Sequence, residues 1–346
     1  LVLSMQPIYL SGHSRPVKKA MFNTDGDLLF TCSDDTTVCL YKTNNLLERI
    51  GIFQVKDSCK SIDVSKDSKY LFATATTVGI KIFDVNNGDQ LAEIPIDALV
   101  TKVVELSYSD KYFLTVSEQR KTRDNIIKIY STKKALEWGV RSAENEGKFL
   151  EPEFEIKAPR DHNINTVKWG ALDEVIYFGT DKGRLAKYDL EEKKVVQVAD
   201  VHRGEIFSIQ ITHDFTMLFT CSRDGFCKLL HPETFDEIRS FLFEFPCRDV
   251  TICPLFDSKD HQKFHLILCG GQDAKDVTTT GAQKGGFEMK LYNIIHNELL
   301  ATIKGHFGTV HTLAWHPDGS AFVSGSEDGY VHYHRMLPEY FTKKFE

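Results

Sequence analysis

The stretch Gly305 to His334, GHFGTVHTLAWHPDGSAFVSGSEDGYVHYH, constrains the chain more than any other. A Gly-His pair opens it, Pro317-Asp318-Gly319 separates two apolar runs, and Asp328-Gly329 leads into a third. Val310 to Trp315 and Ala321 to Ser324 are too short for helices and are bounded by turn residues, so they read as strands. Three strands joined by two tight turns make a sheet with an apolar face that needs further copies to pack against.

Those copies precede it. Gly12-His13 is followed by the turn Thr24 to Asp27, the run Leu28 to Cys32, Ser33-Asp34-Asp35 and a strand that ends at Tyr41. His13 to Tyr41 spans 28 positions, as does His306 to His334. The frame also fits His202 with Asp224 and Leu230 and, slightly compressed, His162 with Asp181 and Tyr188. Units that lack Gly-His close at Phe83, Tyr130 and Tyr292. The closing residues, Tyr41, Phe83, Tyr130, Tyr188, Leu230, Tyr292 and His334, recur at a period of 42 that stretches over two insertions. A period of this length with four strands per unit predicts an all-β, seven-bladed β-propeller. The run Met5 to Leu10 has no unit of its own, and the last unit stops after three strands. Ile8 and Leu10 are therefore expected in the outer strand of the last blade, closing the ring and removing its open edges.

Gly-His, then Ser-x-Asp, then an aromatic six residues further on resembles the WD-repeat family, with Phe83-Asp84 and Tyr188-Asp189 standing where that family has Trp-Asp. The resemblance implies a hydrogen-bonded set in each blade. In the first unit it would comprise His13, Thr31, Asp35 and Tyr41, and in the last His306, Ser324, Asp328 and His334. Tyrosine in place of tryptophan keeps a donor, whereas Phe83 and Leu230 do not, so blades two and five are expected to have weaker networks.

Seven such units and two insertions fill the chain, so a single propeller domain is expected over 5–346, with 1–4 an extension ahead of Met5. The insertions are 131–160 and 271–286. The first is expected as a long Lys/Glu-rich loop before an outer strand near Phe154 to Ile156, with Trp138 as a candidate partner anchor. The second is expected to extend a hairpin between second and third strands. It contains Thr278-Thr279-Thr280, but Gly281 to Gly285 does not supply a phosphate-binding Walker loop.

A net charge of −7 argues against wholesale phosphate neutralisation and against direct RNA binding. No run of 18 apolar residues predicts a membrane span, and the segment before Gly12 has no basic secretory n-region. The eight cysteines fall singly in strands without Cys-x-x-Cys spacing, which reads as buried thiols in an intracellular, reducing compartment rather than a metal site. His261 and His265 fall in a polar turn and read as solvated residues. His334 belongs to the blade network and His332 is expected to face a neighbouring blade. Asp35, Asp124, Asp181, Asp224 and Asp328 recur once per unit, as turn residues do. No catalytic constellation, cofactor site or small-molecule substrate site is expected.

A closer resemblance comes from Gly270 to Thr280 (GGQDAKDVTTT), Gly286-Phe287-Glu288, Lys304 to Gly308, Gly26 to Phe30, Glu327 to Val331 and Pro338 to Phe341. Together these resemble the subunit i family of eukaryotic translation initiation factor 3. The likeness covers the whole chain; it is closest from Leu268 to Phe341 and weakest from Ile50 to Leu150. It implies a cytoplasmic, non-catalytic scaffold supporting preinitiation complex assembly on the small ribosomal subunit. It also implies that the C-terminal helix of subunit b lies along blades five and six, with subunit g nearby. By position, it points to Asp214 and His231 as partner-binding residues, although the family carries an acidic residue where this chain has His231 and Asp214 also reads as an ordinary turn aspartate. The alternative is another intracellular WD-repeat adaptor, such as a kinase-receptor-associated scaffold. A propeller enzyme would need polar residues converging on the central channel, and no such surplus over the turn aspartates is evident in the sequence.

Overall fold

Apolar runs such as Leu28–Ser33, Tyr70–Ala75 and Ala321–Ser326 are buried on both faces, because each lies second in a sheet packed between two others. The computed structural model describes residues 5–43, 47–119, 124–140, 142–145, 147–157, 162–259, 262–272 and 286–342. Within them, seven antiparallel four-stranded sheets form a β-propeller. Six blades take their strands in chain order. In the seventh, Met5–Leu10 pairs outside Val331–Met336, with Ile8 opposite Tyr333 and Leu10 opposite Val331, so the N-terminal strand closes the ring.

The inner strands line the channel, and in six of them the pairing register slips near the start, as between Val17 and Lys19 or Cys247 and Asp249. A bulge of this kind adds a residue to one strand and re-aims its side chains. The turns from inner to second strand need a left-handed residue. Gly26 (φ 79°) and Gly319 (φ 73°) supply it without strain, whereas Ser68, Asp110 and Phe215 take the same region at φ 58°.

The stretch after Tyr130 differs from the expected loop. It begins with helix α1 (Thr132–Val140), followed by a 3₁₀ turn over Ser142–Asn145 and the outer strand Phe154–Lys157 of blade three. Ser131 Oγ accepts from Lys134 N at 3.4 Å, which caps the first turn. Ala135, Leu136 and Trp138 face the cluster beneath blades two and three, while Lys133, Lys134 and Glu137 face solvent. Trp138 is thus half-buried against the chain's own core rather than displayed as an anchor. Gly139 sits flush on Leu91 of the outer strand of blade two (Gln90–Pro95), where a Cβ would collide with the Leu91 carbonyl oxygen. Helix α2 (Pro338–Thr342) covers blade six from below, with the Tyr340 hydroxyl 2.8 Å from His265 Nδ1. His265 is consequently buried in a strand, not solvated in a turn, and burial holds it near 4. His261 and the Thr278–Thr280 run lie outside the described residues.

Candidate functional site

The polar sets of the blades arise where the loop entering a blade meets the turn between its second and third strands. In blade seven, His306 Nδ1 lies 3.0 Å from Asp328 Oδ2 and Nε2 lies 2.8 Å from Ser324 Oγ, with His334 Nε2 a further 3.4 Å from that hydroxyl. Burial pushes the Asp328 carboxyl up, but hydrogen bonds from His306, Phe307 N and Tyr330 N outweigh it and hold the group at about 2. His332 does not face a neighbouring blade. It stacks on His306 at 3.7 Å and meets Tyr9 of the closing strand edge-on at 4.6 Å.

Blade one repeats the arrangement, with His13 2.9 Å from Asp35 and 2.8 Å from Thr31. Tyr41 stands outside it, because its hydroxyl is buried with no hydrogen-bond partner. Blade five keeps His202 3.0 Å from Asp224 and 2.9 Å from Thr220 although Leu230 replaces the aromatic. The closing residue is therefore not what holds the histidine. Blade two has no such histidine; Asp57 in its entry loop accepts from Thr77 N and Thr77 Oγ1, each at 2.6 Å.

Asp214 and His231 lie in the first and third turns of blade five, and alternate turns of an antiparallel sheet emerge at the same end. At two strand spacings their turns are about 10 Å apart. Both residues are exposed. Asp214 accepts from Thr212 Oγ1 at 2.6 Å and from Thr216 N at 3.1 Å, and despite some burial those bonds lower its carboxyl. His231 Nδ1 accepts from Glu233 N at 3.2 Å. The outer strand of blade five presents Ile238 at the end next to His231 and Leu242 at its opposite end, 52% and 48% exposed, and blade six adds Leu299 at 43%. The apolar residues of this flank were not located in the sequence. Their signal is an outer strand, Glu237–Leu242, in which Ile238 and Leu242 share one face with Ser240 between them.

The channel carries more charge than expected. Its cavity, about 470 Å³, is lined by Lys18, Lys19, Lys60, Lys102, Lys168 and Arg248, together with three carboxylates, Asp63, Glu105 and Asp249. Glu105 and Lys168 pair at 2.8 Å, and burial raises the Glu105 carboxyl. Asp249 accepts from Ser208 Oγ at 2.7 Å and Leu313 N at 2.9 Å, and burial likewise raises it. The signal for this site lay in the sequence: Lys18, Lys60 and Lys102 recur at intervals of 42. Among the described residues no group of three or more His, Cys, Asp or Glu is placed to hold a metal ion, and no helix is long and apolar enough to cross a membrane.

Comparison with known proteins brings the chain into register with one family. The family model described as EIF3I matches residues 5–346. The eukaryotic translation initiation factor 3 subunit I of Drosophila simulans is 33% identical over 351 residues, covering 99% of this chain and 100% of that protein. The Drosophila melanogaster protein of the same name gives the same figures, 33% over 351 residues with 99% and 100% coverage. The one from Schizosaccharomyces pombe is 31% identical over 344 residues, covering 99% of each chain.

Proposed function

The chain belongs to the EIF3I family, and we propose that it is a non-catalytic, cytoplasmic scaffold subunit of eukaryotic translation initiation factor 3, built as one propeller domain over 5–346. The observation that carries this reading is the family match over the whole propeller, insertions included. In this reading the C-terminal helix of subunit b lies along blades five and six, subunit g docks nearby, and contact with the small ribosomal subunit is indirect.

The physical case for that flank is its mixture of apolar and charged positions. A docking helix presents side chains at i, i+3, i+4 and i+7, which need an apolar strip to cover. Ile238, Leu242 and Leu299 offer apolar positions on the outer strands of two neighbouring blades. Asp214, held ionised by Thr212 and Thr216, offers a rim carboxylate to a lysine or arginine of the helix. An exposed pair of this kind contributes about 0.5 kcal/mol, so the apolar positions dominate affinity and the carboxylate sets register. With Nδ1 taken by Glu233 N, His231 offers a partner its Nε2–H donor and no fixed negative charge, which removes one ion pair.

Calorimetry against the C-terminal segment of its own organism's subunit b tests the reading. One-to-one binding that weakens strongly in Leu242→Asp and modestly in Asp214→Lys supports both the partner and the flank. Binding indifferent to both variants moves the interface elsewhere, and no binding at micromolar concentration favours a different WD-repeat adaptor.

A further inference from the structure

We propose that the central channel is a binding site for a small, multiply charged phosphate compound, held chiefly by Lys18, Lys19, Lys60 and Lys102. This goes beyond the scaffold reading and does not depend on it.

The inner-strand register brings these groups together. Lys18, Lys60 and Lys102 occupy equivalent positions on blades one, two and three, and Arg248 and His311 hold that position on blades six and seven, so five consecutive blades contribute to one arc of the channel wall. The register slip between Val17 and Lys19 turns Lys18 and Lys19 alike toward the cavity. Six cations against three carboxylates give the lining an excess of positive charge in a chain whose net charge is −7. Low-dielectric walls concentrate such a field inside the channel.

How the charges are partnered decides the sign of the ligand. The three lining carboxylates are occupied: Asp63 accepts from Leu106 N at 2.7 Å, Glu105 pairs with Lys168, and Asp249 is bound by Ser208 and Leu313. The cations are partnered unevenly. Asp34 bridges two ammonium groups, Lys60 at 2.5 Å and Lys18 at 3.6 Å, and Lys18 also meets Glu327 at 3.3 Å, a carboxylate that His311 shares. Lys102 donates to Asn125 Oδ1 at 3.4 Å and meets Glu118 at 3.8 Å. Lys19 is half-buried, and among the described residues no hydrogen bond or ion pair is made by its ammonium, whose field reaches Glu105 through space. A polyphosphate would give Lys19 its partner and displace the bridging Asp34. The Arg248 guanidinium, stacked 4.0 Å over the Phe207 ring, presents a planar donor edge at the same level.

The test is calorimetry of the full chain with sodium tripolyphosphate at constant ionic strength, with sulfate and hexaglutamate as comparison anions. The expected result is one site per chain that prefers tripolyphosphate to both. Lys19→Gln, which breaks no pair in the fold, should weaken it about tenfold, the loss of one charge-assisted contact. Asp34→Asn should tighten it about threefold by removing a competing carboxylate. Lys56→Gln, an exposed lysine away from the cavity, should leave it unchanged, and melting temperatures confirm that each variant is folded. Absence of heat, affinity equal for hexaglutamate, a stoichiometry above one, or equal weakening by Lys56→Gln and Lys19→Gln would each overturn the proposal.

Discussion

Blades two and seven solve one problem by different means. Blade seven ties its entry loop to its second and third strands through His306, Asp328 and Ser324, and is closed by a strand from the other end of the chain. Blade two has no histidine there. Its Asp57 reaches forward to Thr77, reversing the usual direction in which a turn aspartate holds the entry loop. It compensates with apolar contact: Phe53 packs on Phe83 at 5.4 Å, and α1 from blade three covers its outer strand. The polar tie and the apolar buttress are thus alternatives, and a blade that loses one can survive with the other.

Among single substitutions, removing the tie should do the most damage. His306→Ala leaves Asp328 and Ser324 without their shared partner and strips a stacked ring from His332, so a loss of about 3 kcal/mol is expected in denaturant unfolding, with amide exchange rising first in blade seven. If exchange rises equally in blade two, the blades are not independent and the comparison fails.

Acid should separate the blades as well. Burial holds His332 at about 4 and His334 at about 3, below the value near 6.5 of an unfolded histidine. Unfolded chains therefore take up these protons first, so stability present above pH 6.5 is lost as pH falls toward 4. Asp328, held at about 2, adds a loss in the same direction below about pH 4, where its unfolded counterpart protonates. About 2 kcal/mol per histidine, about 4 kcal/mol together, should be gone by pH 5, and exchange should report it in blade seven and not in blade two.

Gly139→Val should unseat α1 from Leu91 and cost about 1.5 kcal/mol, with faster exchange in Gln90–Pro95. An unchanged melting temperature would mean that α1 contributes nothing to blade two. The smallest effect belongs to Thr77→Ala, about 1 kcal/mol, because its bonds with Asp57 are solvent-exposed.

Blade number, the strand boundaries around each turn and the closing role of Met5–Leu10 were legible because strand length and turn chemistry are local and repeat. Helix α1 was missed although Ser131 and the KKALEW spacing carry a cap and an apolar face; the charged residues around it concealed a short amphipathic pattern. Tyr41 was expected to donate as a tryptophan would, but a phenol directs its hydroxyl differently from an indole N–H, and here it finds no acceptor. His265 looked solvated beside Ser258-Lys259-Asp260, and only the return of Tyr340 from the far end of the chain buries it.

By itself the sequence determined what is set within one repeat: where strands begin and end, which turns need glycine, which histidine meets which aspartate, and to which family the pattern is similar. Tertiary structure alone decided what depends on seven repeats meeting. It gathered lysines 42 residues apart into one channel, placed α1 on a neighbour's edge, and left Ile238, Leu242 and Leu299 exposed on the outer strands of two neighbouring blades. The reason is range. Turn and strand preferences act over a few residues, whereas the field in a channel and the burial of an edge are sums over parts of the chain that only closure of the ring brings together.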